Sequence, residues 1–110
     1  MTYKEFKKEA NKLGLPFRIL DKVIMVGYIE HKTVMSGLHI AEFKELCNVH
    51  IKERFSLYQT YRFYKLEESL QEKLFDLVNE LARTPLDERG ELEWHINLDI
   101  QWLIKNLRKK

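Results

Sequence analysis

The sequence predicts an α+β fold: an N-terminal helix, a small mainly antiparallel sheet, and a C-terminal acidic helix followed by a basic helix or strand plus helix. Three observations predict it. Apolar residues recur at helical spacing near the N-terminus, β-branched and aromatic residues cluster in short runs from Phe17 to Tyr61, and a leucine stripe of helical period runs from Leu66 to Leu81. At 110 residues, 45% of them hydrophobic, the chain has material for one core, and one domain over 1–110 is expected.

The elements follow in chain order. Tyr3, Phe6, Ala10 and Leu13 share a helical face, and Thr2 with Glu5 makes a capping box, so the first helix spans about Tyr3 to Leu13. Gly14 and Pro16 end it. Phe17 to Leu20 and Val23 to Ile29 read as strands joined by Asp21 and Lys22, with Glu30 to Lys32 ending the second. Because Val23 to Ile29 is apolar on both faces, it is expected to be a central strand covered on both sides. Residues 33–46 support two readings: Ile40, Phe43 and Cys47 fit a short helix, and Val34, Ser36, Leu38 and Ile40 fit a strand. Cys47 to Ile51 and Phe55 to Tyr61 read as a hairpin that turns at Lys52, Glu53 and Arg54.

Leu66, Leu70, Leu74, Leu77, Val78 and Leu81 form the stripe of a helix docked by one face, with acids opposite. Ser69 and Glu72 match a second capping box, which places its regular start near Leu70. Thr84 and Pro85 end this helix and begin another, with Asp87 at a capping position. Beyond Gly90 the strict alternation of Leu92, Trp94, Ile96, Leu98, Ile100, Trp102 and Ile104 competes with a helical face of Leu92, Ile96, Ile100, Leu103, Ile104 and Leu107. The adopted reading is a helix from about Asp99, with 91–98 open to either state.

Charge is uneven along the chain. Residues 1–65 hold twelve Lys or Arg and seven acids, a balance of +5, and residues 66–99 hold three bases and ten acids, a balance of −7. Lys105, Arg108, Lys109 and Lys110 make a basic tail. Such asymmetry steers partners and says little about fold. The longest apolar run, Val23 to Ile29, is far short of the roughly 18 residues of a membrane span, and MTYKEFKKEANKL lacks the apolar core of a signal peptide. With the single Cys47, a cytoplasmic protein without membrane association is expected.

No catalytic, cofactor or metal centre is expected. Cys47 and His50 have Cys-x-x-His spacing, but a structural zinc site needs a second pair, and strand residues three apart face opposite ways. Cys47 paired with His31, His39, His50 or His95 has no local signature of a nucleophile. The paired acids Glu67–Glu68, Asp87–Glu88 and Glu91–Glu93 fall on helix surfaces or ends, where solvation and the helix dipole account for them. Phosphate-cradling glycine motifs are absent from the sequence.

Two surfaces are candidates for partner binding. In the basic aromatic segment 54–65, RFSLYQTYRFYK, strand alternation separates Phe55, Leu57 and Gln59 from Ser56, Tyr58 and Thr60. Most of these aromatics are expected to fill the core, leaving Arg54, Tyr58 and Arg62, with Tyr61 or Tyr64, as a hot spot or a base-stacking platform. The acidic side of the leucine-striped helix offers Glu68, Glu72, Asp76 and Glu80. Residues 92–107 are too apolar to stay solvated and are expected to support the core or a homodimer.

The run LEESLQEKLFDLVNELARTPLDERGE, residues 66–91, resembles small proteins of unknown function encoded by phages and prophages of Gram-positive bacteria. In those a strand pair precedes an acidic helix of this type and a TPLEER-like ending, and the likeness reaches back to Leu46. The resemblance implies a non-catalytic accessory protein that binds and modulates a host or phage protein, inhibition of a host defence being one form of this. It brings no active site with it. The alternative expectation is a nucleic-acid-binding protein using 54–65 and the basic tail.

Overall fold

The first helix is set by its ends. Thr2 has an extended backbone and its Oγ1 accepts from the Glu5 N–H at 3.1 Å, while Glu5 Oε1 accepts from the Thr2 N–H at 3.4 Å. This capping box starts α1, Tyr3–Lys12, and Gly14 stops it at φ +73°, where a side chain would be strained. Tyr3, Phe6 and Ala10 form its buried face. The computed structural model describes residues 1–92. The expected C-terminal helix or strand, the basic tail and the 92–107 dimer segment beyond Leu92 lie outside the described residues.

Four strands follow in a meander: β1, Phe17–Leu20; β2, Val23–Thr33; β3, His39–His50; and β4, Leu57–Gln59. They pair antiparallel in the order β1-β2-β3-β4. Asp21, at φ +57°, makes the tight reversal between β1 and β2. β2 does not end at Glu30. It continues through Lys32 because its ladder with β3 runs from Gly27 without a further break out to Thr33 opposite His39.

The ambiguous stretch 33–46 is therefore a turn and a strand, not a helix. Gly37, at φ +80°, donates its N–H to the Val34 carbonyl, and the Val34 N–H reaches the Leu38 carbonyl, giving a short hairpin loop. On β3, Ile40 opposite Lys32 and Phe43 opposite Ile29 fall on different faces, which removes the helical reading of Ile40, Phe43 and Cys47. A β-bulge interrupts the pairing between Val26 and Gly27, where Leu46 is the extra residue and both Leu46 and Cys47 are fully buried.

The second hairpin is shorter than expected. β4 pairs only with Cys47, Asn48 and Val49, because Phe55 takes φ +66° and the chain turns inward at Thr60. Thr60 Oγ1 lies 2.7 Å from the Glu45 carbonyl and 3.2 Å from that of Leu46, beside the bulge. A 3₁₀ turn, Phe63–Lys65, leads to α2, Glu68–Arg83. α2 begins before Ser69, which is not its cap. Glu67 occupies the cap position without a side-chain hydrogen bond, and Gln71 Nε2 holds the approach by donating to the Leu66 carbonyl at 2.7 Å. After Pro85 the expected further helix is one 3₁₀ turn, Leu86–Glu88.

Leu74, Leu77, Val78, Leu81 and Ala82 of α2 join Tyr3, Phe6 and Ala10 of α1 over Ile19, Ile24, Val26, Leu46, Cys47 and Val49 of the sheet. Both helices thus sit on one face. Among the described residues nothing lies on the other face, so the expectation that β2 is covered on both sides is not met there.

Arg89 locks the layers together. Its side chain is fully buried, with Nη1 donating to the His50 carbonyl at 2.8 Å, Nε to Thr84 at 3.0 Å and Nη2 to Ala82 at 3.2 Å. Its own carbonyl accepts from the Tyr3 N–H at 2.7 Å. The cation is thus solvated by carbonyls, two of them at the negative end of the α2 dipole. Arg89→Ala is expected to lower unfolding stability by about 3 kcal/mol, since it leaves a void and carbonyls without their donor. Arg89→Lys should recover only part, because a point charge cannot span three carbonyls. Urea unfolding checks this: the midpoint should fall in the order wild type, Lys, Ala, and coincident curves would refute the assignment.

Candidate docking face and arm

Strand alternation decides which side chains the uncovered face carries. Ile19, Ile24, Val26, Cys47 and Val49 point to the helices, so their neighbours point away: Arg18, Leu20, Val23 and Met25 near β1, Asn48 and Tyr58 on β3 and β4, and Ile29 and Phe43 further out. Leu20 and Tyr58 are each 60% exposed and Ile29 is 42% exposed. The Arg18 guanidinium lies over the Phe43 ring, 5.0 Å from its centroid. A sheet face of apolar side chains with a cation–π pair and the Asn48 Nδ2 to Glu45 Oε1 hydrogen bond, 2.8 Å, in its middle is the most distinctive surface among the described residues.

This face runs out onto an arm. β1 pairs only with residues 23–26 of β2, and β4 only with 47–49 of β3, so residues 27–33 and 39–45 continue as a two-stranded ribbon. Seven residues per strand make it about 23 Å long. At its root Gly27 is required by close approach, since a Cβ there would overlap the Lys44 carbonyl oxygen and meet Phe43 Cζ at 2.8 Å. At its tip Met35 and Leu38 are exposed.

The helix-side surface of the arm is charged. Glu30 stands opposite Glu42, a repulsive pairing, but each carboxylate takes a lysine from its own strand: Lys32 at 3.0 Å and Lys44 at 2.7 Å. The hydrogen bond and charge of Lys44 hold the Glu42 carboxyl below its usual range, and the Glu42 hydrogen bond raises Lys44. These groups are exposed or half-buried at the surface, so they set register more than stability.

The partner-binding candidates do not form one patch. Tyr58 is on the open sheet face. Arg54 is drawn away to the C-terminal end of α2, where its Nε donates to the Arg83 carbonyl at 2.6 Å and its guanidinium covers Phe55. Arg62 lies near the other end of α2, 4.7 Å over the Tyr61 ring, with Lys65 Nζ at 5.3 Å from the same ring. Glu68, Glu72, Asp76 and Glu80, spaced by four, form an exposed ridge on α2, across the molecule from Tyr58. The expectation that most aromatics of 54–65 fill the core is also corrected. Phe63 is buried, whereas Phe55, Tyr58, Tyr61 and Tyr64 are exposed, because Phe55 and the turn at Thr60 take the chain out of strand geometry at both ends of β4.

Arg18, Phe43 and the arm were missed by sequence reasoning. Their only signal was β-compatible alternation across 29–43, which the undecided state of 33–46 obscured. A groove of about 530 Å³ between α1 and α2 is lined by Met1, Glu5, Lys8, Glu9, Lys12, Leu13, Lys73, Leu77 and Glu80, and neither sign of charge is concentrated in it. Among the described residues no three potential metal ligands come together. Cys47 is buried on the helix side, and His50 Nδ1 accepts from the Lys52 N–H.

Burial, with a smaller contribution from the Glu45 charge, pushes the Cys47 thiol from an ordinary 9.0 up to about 12. The thiol is therefore protonated at neutral pH and a poor nucleophile. Between about pH 9 and 12 the unfolded chain ionises this thiol and the folded chain does not, so stability should fall as pH rises through that window. Native protein at pH 8 should react with DTNB no faster than it unfolds, and stoichiometric labelling within seconds would contradict the burial. Gly27→Ala should cost about 2 kcal/mol by overpacking at the arm root, read as a lower urea midpoint; an unchanged midpoint would show that β2 and β3 are further apart there.

Protein-family models, curated proteins and solved structures were compared with this chain, and none matches.

Proposed function

We propose that this chain is a non-catalytic binding protein that docks on another protein through the open face of its sheet and the adjoining arm. Its partner, by the resemblance of residues 66–91 to phage and prophage proteins, is a host or phage macromolecule whose activity it modulates. The observation that carries the reading is the open face itself: Leu20 and Tyr58 on the four-stranded sheet and Ile29 on the adjoining arm are exposed on one side, with Arg18 and Phe43 between them. Contiguous apolar surface rimmed by polar groups is a mark of interfaces, and Tyr and Arg are the residue types that dominate binding energy. The protonated, buried Cys47 supports a role without covalent chemistry.

The nucleic-acid reading rests on Tyr61, Arg62 and Lys65, which cluster beside α2. It is the weaker one. Two cations already occupy the Tyr61 ring, and Arg54 is engaged with the Arg83 carbonyl, so the segment offers fewer free groups than its composition suggests.

The test is capture from a Gram-positive lysate at moderate salt, comparing wild type with Tyr58→Glu and Ile29→Glu. Each should reduce capture of a specific protein at least tenfold, the scale of a hot-spot loss, with unchanged thermal unfolding, while Glu72→Lys with Asp76→Lys on the ridge should retain it. Retained capture in the face variants would overturn the proposal. A drop in their melting temperature would show instead that residues of this same chain cover the face. Short DNA and RNA probes bound with a steep salt dependence and lost in Arg62→Ala would favour the alternative.

A further inference from the structure

The distal arm brings two histidines together. His31 on β2 faces Ala41, and His39 on β3 faces Thr33, so the imidazoles meet on a diagonal of the ladder, with the small side chains of Ala41 and Thr33 on the other diagonal. His31 Nδ1 and His39 Nε2 are 3.0 Å apart. The ring centroids are 5.1 Å apart with planes inclined by 23°, which places both nitrogens between the rings and facing each other. Both side chains are exposed, and they occupy the same face of the arm as Ile29 and Phe43.

We propose that His31 and His39 form a binding site for one late first-row divalent ion, Cu²⁺ more tightly than Zn²⁺. Metal–nitrogen bonds of about 2.0–2.1 Å separate two ligand nitrogens by about 2.9 Å at a square-planar corner and about 3.4 Å at a tetrahedral one. The 3.0 Å separation lies at the square-planar end of that range. Binding needs only a swing of two exposed rings so that their lone pairs converge on one side of the line joining the nitrogens. Imidazole suits Cu and Zn, and the general affinity order sets Cu²⁺ above Zn²⁺.

The surroundings permit a cation. The two lysines of the arm, Lys32 and Lys44, belong to the opposite face, each paired with a carboxylate. The ladder fixes the second imidazole beside the first, so its effective concentration is high once one nitrogen is bound. With two protein ligands the ion keeps positions for water or for a donor on a docked partner. It also clips β2 to β3 near the tip, where among the described residues the ribbon has no third strand.

The test uses the full chain. Zn²⁺ should perturb the imidazole ¹⁵N signals of His31 and His39 first and together, and calorimetry should give one ion per chain with Cu²⁺ tighter. His31→Gln and His39→Gln should each weaken affinity at least tenfold, and His50→Gln should leave it unchanged. The assignment is overturned if either single variant binds like wild type, if His50 or His95 responds first, or if millimolar Zn²⁺ perturbs none of the imidazoles. In that last outcome the rings only hydrogen-bond each other across the hairpin.

Discussion

A buried guanidinium that, among the described residues, has carbonyls and no carboxylate as partners is the constraint on which the arrangement of layers depends. Arg89 draws together carbonyls from the end of β3 and the end of α2, and its own backbone receives the first N–H of α1. The ends of β3 and α2 are far apart in sequence, so the cation is solvated only when both are in place, and the Tyr3 N–H then ties α1 to the same residue. The same corner completes the α2 C-terminus. The Glu80 carbonyl accepts from the Thr84 N–H and hydroxyl, Ala82 from the Phe55 N–H as well as Arg89, and Arg83 from Arg54. A helix end buried without such partners would be costly. Here the 50–55 turn is bent into shape to supply them, which is why Phe55 adopts a left-handed backbone and lies exposed.

That arrangement divides the molecule by local stability. The body buries its apolar side chains between helices and sheet, with the bulge at Leu46 and Cys47 sealed by Thr60. Among the described residues the arm has two strands, open edges beyond its root and a tip of exposed residues. Two-stranded ribbons are marginal alone, and exposed ion pairs add little, so the arm depends on Tyr28 against the core and Arg18 over Phe43 at its base. Opening of the arm without the body is the expected lowest-energy excursion.

The residues made some of this legible. Thr2, Glu5 and Gly14 mark α1 because capping chemistry is local, and the α2 stripe is visible because one face of an amphipathic helix must be apolar. Alternation fails as a guide at Leu46 and Cys47, where a bulge turns two neighbours inward and shifts the pattern of β3. It fails again over 54–65, where closeness in sequence suggested one basic aromatic patch. The corner at α2 takes Arg54, the sheet face takes Tyr58, and Arg62 is left at the other end of the helix. Arg89 reads in sequence as one more charge near a helix end. Its burial follows from a tertiary arrangement that no local pattern encodes.

The division into two faces also settles how the uneven charge acts. The acidic ridge of Glu68, Glu72, Asp76 and Glu80 lies on the far side of α2 from the sheet. A helix with its side chains is about 10–12 Å across, whereas the Debye length is about 8 Å at physiological salt. Across that thickness the potential of the ridge falls to roughly a quarter or less of its unscreened value. The ridge and the sheet face are therefore nearly independent electrostatically, and the four acids of the ridge do little to attract or repel what approaches Tyr58. Recognition on that side must be decided by local groups: the apolar contour of Leu20, Ile29 and Phe43, the Tyr58 hydroxyl, and the guanidinium of Arg18.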